Sequence, residues 1–289
     1  MASSYELYRY TPSLAAAVLF IILFILITAY HAYQMARSRA WYFTCFILGG
    51  IFQIMGYVAR ALAHSNTQSV SIYAIQAVLI LLAPPLYAAT IYMTLGRLIA
   101  YLEAEKLSII SIRWLTKIFV MGDVLSFLLQ GAGGGLMSSG TASGMTTGEN
   151  VIMGGLAVQL IFFSIFVIVA TLFHYRIHQN PTQISISTSI VRSGWRNANW
   201  ETTMVGLYIA SILILIRSVF RMIEYAGGND GHIMSHEAFS YIFDAMLMFF
   251  AMVVMSVFHP SKVLGSAGKE QNVGSSESVQ LRRIYSNPA

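Results

Sequence analysis

Seven apolar stretches, each long enough to cross a lipid bilayer, leave this 289-residue chain few ways to fold. An α-helix needs about 20 mostly apolar residues to span the hydrocarbon core. Segments near 13–35, 41–63, 70–95, 114–133, 151–174, 203–226 and 237–258 meet that requirement. Inside lipid every backbone N–H and C=O must be bonded within the protein, so spans of this length are helices. The composition agrees: 56% of residues are hydrophobic and 10% charged, where soluble domains carry about 25% charged residues. The expected fold is all-α, a polytopic membrane protein built as a seven-transmembrane-helix bundle.

Charge in the loops sets the orientation. Thirteen of the 17 Lys and Arg residues fall on one side. Arg37 and Arg39 follow the first span; Arg97, Lys106, Arg113 and Lys117 lie around the third connection. Arg176, Arg192 and Arg196 lie in the fifth, and Lys262, Lys269, Arg282 and Arg283 follow the last span. The opposite loops, 64–69, 134–150 and 227–236, contain no Lys or Arg. The positive-inside rule then places the N-terminus outside and the C-terminus in the cytoplasm. The basic excess is thus loop asymmetry, and no nucleic-acid partner is implied. The first span is too long for a signal-peptide core and its positive charges follow it, so it reads as an uncleaved helix. The chain divides into a short outer N-terminus (1–12), the transmembrane domain (13–260) and a Ser-, Gly- and charge-rich tail (261–289) expected to be disordered.

The connections also carry signals. Residues 131–150, GAGGGLMSSGTASGMTTGEN, read as a flexible outer loop. In 175–202 the Asn180-Pro181 pair marks a turn, and the Ile–Ser alternation at 184–190 is compatible with a short strand. Trp195 and Trp200 fit interfacial anchors. Pro84-Pro85 is expected to interrupt the third span. Cys45 is the single cysteine, which rules out an intrachain disulfide. Proline inside Asn180-Pro-Thr blocks glycosylation there.

Charge within the spans is the main functional signal, because an ionisable side chain in a bilayer costs a few kcal/mol and marks a site or a pathway. Arg217, Arg221 and Glu224 share one helix stripe, as do Glu237, Tyr241 and Asp244. Gln53, Tyr57 and Arg60 form a third stripe; Asp123, Phe127 and Gln130 form a fourth; Gln76 and Gln159 add isolated polar positions. At a rise of about 1.5 Å per residue, most of these groups fall in the outer half of the membrane. The inner half reads as almost purely apolar. The stripes are expected to converge on a polar pocket open to the outer leaflet, with those of the second and fourth spans forming its opposite wall. The plain alternative is structural: buried ion pairs and interhelical amide bonds that fix helix register.

Catalysis is the less favoured reading. His232 and His236 have metal-ligand spacing if helical, and His236, Glu237 and Asp244 together could serve a zinc-dependent lipid hydrolase. The preceding Gly-Gly-Asn-Asp-Gly turn puts His232 in a loop, however, so no metal and no cofactor are expected. No Ser-His-Asp arrangement and no nucleotide-binding motif is visible. The last span has no lysine, which excludes a rhodopsin-like Schiff base. A seven-helix receptor or sensor stays open, since helix count alone does not decide function.

An ordered set of motifs carries a resemblance. Gly-Tyr-Val-Ala-Arg stands at 56–60, Ala-Pro-Pro-Leu-Tyr-Ala-Ala at 83–89 and Tyr-Met-Thr-Leu-Gly-Arg at 92–97. DVLSFLLQGAGGG follows at 123–135, GGLAVQ at 154–159, RSVFRMIEY at 217–225, HEAFSYIFDA at 236–245 and His-Pro at 259–260. These resemble the fungal lipid-translocating exporter family, the RTA-like proteins named for resistance to aminocholesterol. The resemblance implies a seven-helix fungal protein of the plasma or an internal membrane that handles membrane lipids or amphipathic small molecules. Sphingoid bases, sterol-like compounds and, in one branch, porphyrins are the implied classes, with tolerance to membrane-active compounds as the outcome. It also implies ligand-binding roles for Arg60, Asp123, Gln130, Gln159, Arg217, Arg221, Glu224, Glu237 and Asp244, to which the stripe adds Tyr241. Family members often carry an acid where this chain has Gln53.

Overall fold

The computed structural model describes residues 13–65, 69–137, 141–191, 199–227, 237–261 and 263–264. Among them all regular structure is helical. Helix α1 (Leu14–Ser38) is followed by a 3-10 turn (Trp41–Phe43), α2 (Thr44–Ala63) and α3 (Val70–Tyr101). A second 3-10 turn (Glu105–Leu107) precedes α4 (Ile112–Met137), α5 (Ala142–Gln179), α6 (Gln183–Val191) and α7 (Trp200–Ala226). The last helix, α8, spans Glu237–Val257. It is α-helical over Glu237–Ser240, π-helical over Tyr241–Met246 and α-helical again over Leu247–Val257. Six segments are long and apolar enough to cross a membrane: Leu14–Ser38, Trp41–Ala63, Ile75–Tyr101, Thr146–Gln179, Trp200–Ala226 and Glu237–Val257. Helix α4, 26 residues long, accompanies them in the bundle.

Helix ends follow local rules. The Ser13 hydroxyl accepts from the Ala16 N–H to cap α1, and Thr141 caps α5 through the Gly144 N–H. Arg39, at φ 55°, takes the left-handed conformation that ends α1. Thr182 accepts from the Ser185 N–H at the start of α6. That cap, just after Pro181, is the reason the Ile–Ser alternation folds as a helix and forms no strand. Trp200 is buried beneath α6, its indole N–H donating to the Ser185 carbonyl at 3.3 Å, so it is no interfacial anchor. Trp195 and the expected disordered tail from residue 265 lie outside the described residues.

Helix α3 is the hub, packed against α2, α4, α5 and α7. Of its apolar window 72% is buried, against 28% for α1, which lies on the rim. Pro84 and Pro85 do not interrupt it. A proline removes the hydrogen bond to the carbonyl four residues earlier, which in a membrane needs another donor. Pro84 strips the Ile80 carbonyl in this way, and Arg217 Nη2 of α7 donates to that oxygen at 3.3 Å.

The region expected to be a flexible loop is mostly helix: α4 continues to Met137 and α5 starts at Ala142. Its glycines let two backbones touch. A Cβ on Gly133 would lie 2.7 Å from the Gly148 carbonyl, and one on Gly148 would lie 2.6 Å from the Gly133 carbonyl. Farther along, a Cβ on Gly155 would lie 2.9 Å from the Ser126 carbonyl. Without water to drive helices together, small residues that allow such contact are what membrane helices associate through. Gly134, by contrast, has nothing within 4 Å.

These two glycines should therefore respond in opposite ways. Gly133→Ala forces backbone apart and should cost about 1–3 kcal/mol. Gly134→Ala should be neutral or gain up to about 1 kcal/mol of helix propensity. Thermal unfolding of the two purified variants in detergent measures the difference; equal midpoints would contradict the close packing of α4 on α5.

Candidate functional site

The stripes of α2, α7 and α8 meet; that of α4 does not join them. Arg217 is completely buried, and its Nε donates to Asp244 Oδ1 at 2.7 Å. Arg221 binds the other Asp244 oxygen through Nη2 and Glu224 Oε2 through Nη1 at 2.9 Å. One carboxylate is thus shared by two arginines one helical turn apart. Arg60 of α2 donates through Nη2 to Glu237 Oε1 at 3.2 Å and through Nε to the Tyr241 hydroxyl at 3.1 Å. Its guanidinium carbon also lies 4.9 Å from the centre of the Tyr241 ring. Glu237 accepts from the Ser13 N–H with both oxygens, at 2.8 and 2.9 Å, which ties the start of α1 to the start of α8.

The π-helical turn makes this convergence possible. Tyr241, Asp244 and Ala245 are all buried within it. A π-turn carries an extra residue, which shifts the facing of everything before it, and such turns recur at functional sites. Here it lets Glu237 and Tyr241 face α2 while Asp244 faces α7.

The ionic core is balanced, three arginines against Glu224, Glu237 and Asp244. Two buried donors have no partner among the described residues: Arg217 Nη1 and Arg221 Nε. An aromatic wall adjoins the cluster. The Phe20 ring stacks on Tyr241 with centroids 5.4 Å apart and on Tyr57 at 5.8 Å, and Phe24 stacks on Tyr57 at 5.6 Å. Chemically, the arrangement offers guanidinium donors to an oxygen-bearing head group and ring faces to the hydrocarbon next to it.

Asp123, Gln130 and Gln159 lie elsewhere, between α4 and its neighbours. Gln130 Nε2 donates to Gln159 Oε1 at 3.2 Å and to Ser126 Oγ at 2.7 Å, and Ser126 Oγ donates to the Gly155 carbonyl. The polar residues of α4 turn toward α5 because that is the face its glycines press into contact. Gln53 is fully buried with neither end of its amide bonded. Buried polarity also occurs at the opposite end of the bundle: His31 pairs with the Met252 carbonyl at 2.9 Å, and His259 stacks on Phe43. The expectation of an almost purely apolar inner half is corrected by these two imidazoles, which aromatic packing and backbone bonds accommodate.

Sequence reasoning passed over two contributors. Phe20 and Phe24 sit on a helix with no polar stripe, so only their one-turn spacing hinted at a wall. The Ile80 carbonyl is backbone, detectable solely as the acceptor that Pro84 must free. For the hydrolase alternative, His232 and His236 lie outside the described residues, and both Glu237 and Asp244 are occupied by arginines. Among the described residues no group of three His, Cys, Asp or Glu side chains could hold a metal ion.

Removing Asp244 should be costly, because both arginines that share it would lose their closest counter-charge. Breaking a buried pair from one side costs about 3–5 kcal/mol. Asp244→Asn should therefore lower the unfolding midpoint far more than Glu237→Gln, whose side chain retains 17% exposure. Circular dichroism melting in detergent separates the two; equal losses would mean that Asp244 is not the shared anchor.

Comparison with known proteins places the chain. A family model described as "RTA1 like protein" matches residues 46–267. "Protein RTM1" of Saccharomyces cerevisiae is 39% identical over 88% of this chain and 92% of its own. "Protoporphyrin uptake protein 1" of the same yeast is 38% identical with the same coverage of each chain. Two more distant relatives are named for lipids. "Probable lipid transporter atnI" of Emericella nidulans is 30% identical over 90% of this chain and 68% of its own. "Sphingoid long-chain base transporter RSB1" of Saccharomyces cerevisiae is 27% identical over 90% and 75%. No solved structure matches. Helical architecture, ordered motifs and the family match across most of its length agree: this chain belongs to the RTA1-like protein family.

Proposed function

We propose that this protein is a lipid-handling transporter of the plasma membrane, with seven spans, the N-terminus outside and the C-terminus in the cytoplasm. Helix α4 is the seventh span in this reading. At 26 residues it is long enough to span, packs along α5 and α3, and keeps Arg113 and Lys117 in its first two turns, where long basic side chains reach the interface. The distribution of basic residues between the loops supports this orientation. The transported molecule is an amphipath, of the sphingoid-base class that one relative's name carries or of a sterol-like class.

One observation carries the binding site: Arg217 Nη1 and Arg221 Nε are buried donors without partners beside a wall of stacked rings. Because the ionic core is balanced, a neutral oxygen-bearing head group fits there without adding net charge. A cationic amine would instead be met at the rim, where Glu237 is the more exposed acid. The seven-helix receptor reading gains no specific support from this geometry.

The test uses variants of the Arg60–Glu237 pair, which spare the Asp244 anchor. Purified protein in nanodiscs is titrated with a fluorescent sphingoid base and with a fluorescent sterol. Arg60→Gln and Glu237→Gln should each weaken binding at least tenfold, which corresponds to about 1.4 kcal/mol. Glu237→Gln, at the more exposed end of the pair, should keep an unfolding midpoint near that of the parent. Unchanged affinity for both probes in folded variants would refute the site.

A further inference from the structure

Asp123 stands apart from the arginine cluster. It lies midway along α4, 3% exposed, and neither carboxylate oxygen is in an ion pair among the described residues. Helices α3 and α5 pack against α4. From α3 comes Tyr92, whose buried hydroxyl lies within hydrogen-bonding and electrostatic range of Asp123. From α5 come aromatic rings: Phe162 against Gly122, and Phe163 and Phe166 against Tyr92.

Among the described residues no cation is paired with this carboxyl. The charged groups of α3 and α5 with described contacts are engaged away from it. Arg97 of α3 stacks over Tyr42, Arg176 of α5 reaches the Leu107 carbonyl, and His174 of α5 stacks with Tyr208. On α4 itself, Lys117 lies over Trp114, six residues or roughly 9 Å along the axis from Asp123. Arg217 and Arg221 are held by Asp244, and Arg60 by Glu237. An ionised carboxylate in such surroundings carries a desolvation penalty of several kcal/mol with no Coulombic return. A carboxylic acid is neutral and can both donate to and accept from a phenol.

A polar line leads away from this carboxyl. Ser126 and Gln130 follow at one and two turns of α4, on the face toward α5, and Gln130 keeps a carbonyl oxygen without a partner. The surrounding packing is otherwise apolar. Intramembrane carboxyls with polar neighbours of this kind are what proton relays are built from.

We propose that Asp123 is a proton-binding site, separate from the lipid site, that couples lipid movement to a proton gradient. One oxygen of Asp123 gains a proton on one side of the membrane and gives it up on the other, an O–H bond forming and breaking while water supplies and removes the proton. Ser126 and Gln130 position the path, and Tyr92 is the hydrogen-bonding neighbour of the acid. The coupling rests on the transporter reading above; the proton site does not.

The test has two arms. In proteoliposomes, movement of a fluorescent sphingoid base with a trimethylated amine, which carries no titratable proton, is measured with and without an imposed pH gradient. The ratio of the two rates should exceed unity for the parent, fall to unity in Asp123→Asn and recover in Asp123→Glu. In the second arm, infrared spectra of purified protein are recorded from acid to alkaline pH. A carboxylic C=O band that disappears on alkalinisation, and is missing from Asp123→Asn, is expected. A gradient response that survives in Asp123→Asn overturns the coupling. A band that never changes with pH, or the absence of any band lost in the variant, overturns the proton site. If the parent moves no probe at all, the transporter reading fails with this substrate class, and the infrared arm still decides the fate of Asp123.

Discussion

Arg217 holds three helices together at a depth where water is not available to help. Its side chain reaches Asp244 on α8 and the Ile80 carbonyl on α3 from its own place on α7. Each partner has a need that only a buried cation of this shape meets. Asp244 needs positive charge, and the Ile80 oxygen needs the donor that Pro84 cannot supply. The planar fork of guanidinium allows both at once, with Arg221 closing the remaining carboxylate oxygen. Lysine, with a single point charge, would not replace it. The proline in the central helix and the arginine in the charged one are thus two halves of one device.

Elsewhere the bundle is held by a different principle. The α4–α5 hairpin relies on backbone contact at glycines, which brings Ser126, Gln130 and Gln159 within hydrogen-bonding reach. Ion pairing in one half and close packing in the other keep the arginine cluster apart from the polar line of α4. The first combines fixed charge with aromatic faces and suits an amphipath; the second has a carboxyl without a counter-ion among the described residues and suits a proton. Separation matters for a transporter, because two sites can be coupled only if they are distinct.

Much of this was readable from the chain. The length of the apolar runs predicted helices, and the i, i+4, i+7 spacing of Arg217, Arg221 and Glu224 predicted a single charged face. Other features misled. Gly-rich residues 131–150 resemble a loop because glycine is a poor helix former in isolation, yet here the absence of side chains is what the packing uses. Asp123 shares the spacing of the other stripes, and only the partner helix of α4 decides where that stripe points. The π-turn of α8 left no mark in the local sequence.

By itself, then, the sequence determined the membrane setting, the helices, the family and which residues break the apolar rule, because hydrophobic run length and stripe periodicity are local properties of a chain. Tertiary structure alone decided who meets whom: that Asp244 is shared by two arginines, that Ile80 offers its carbonyl, that Phe20 and Phe24 form a wall and that Asp123 has no counter-charge among the described residues. The physical reason is that pairing depends on the rotation and neighbours of each helix, which are fixed by packing across the bundle and cannot be read from any one segment.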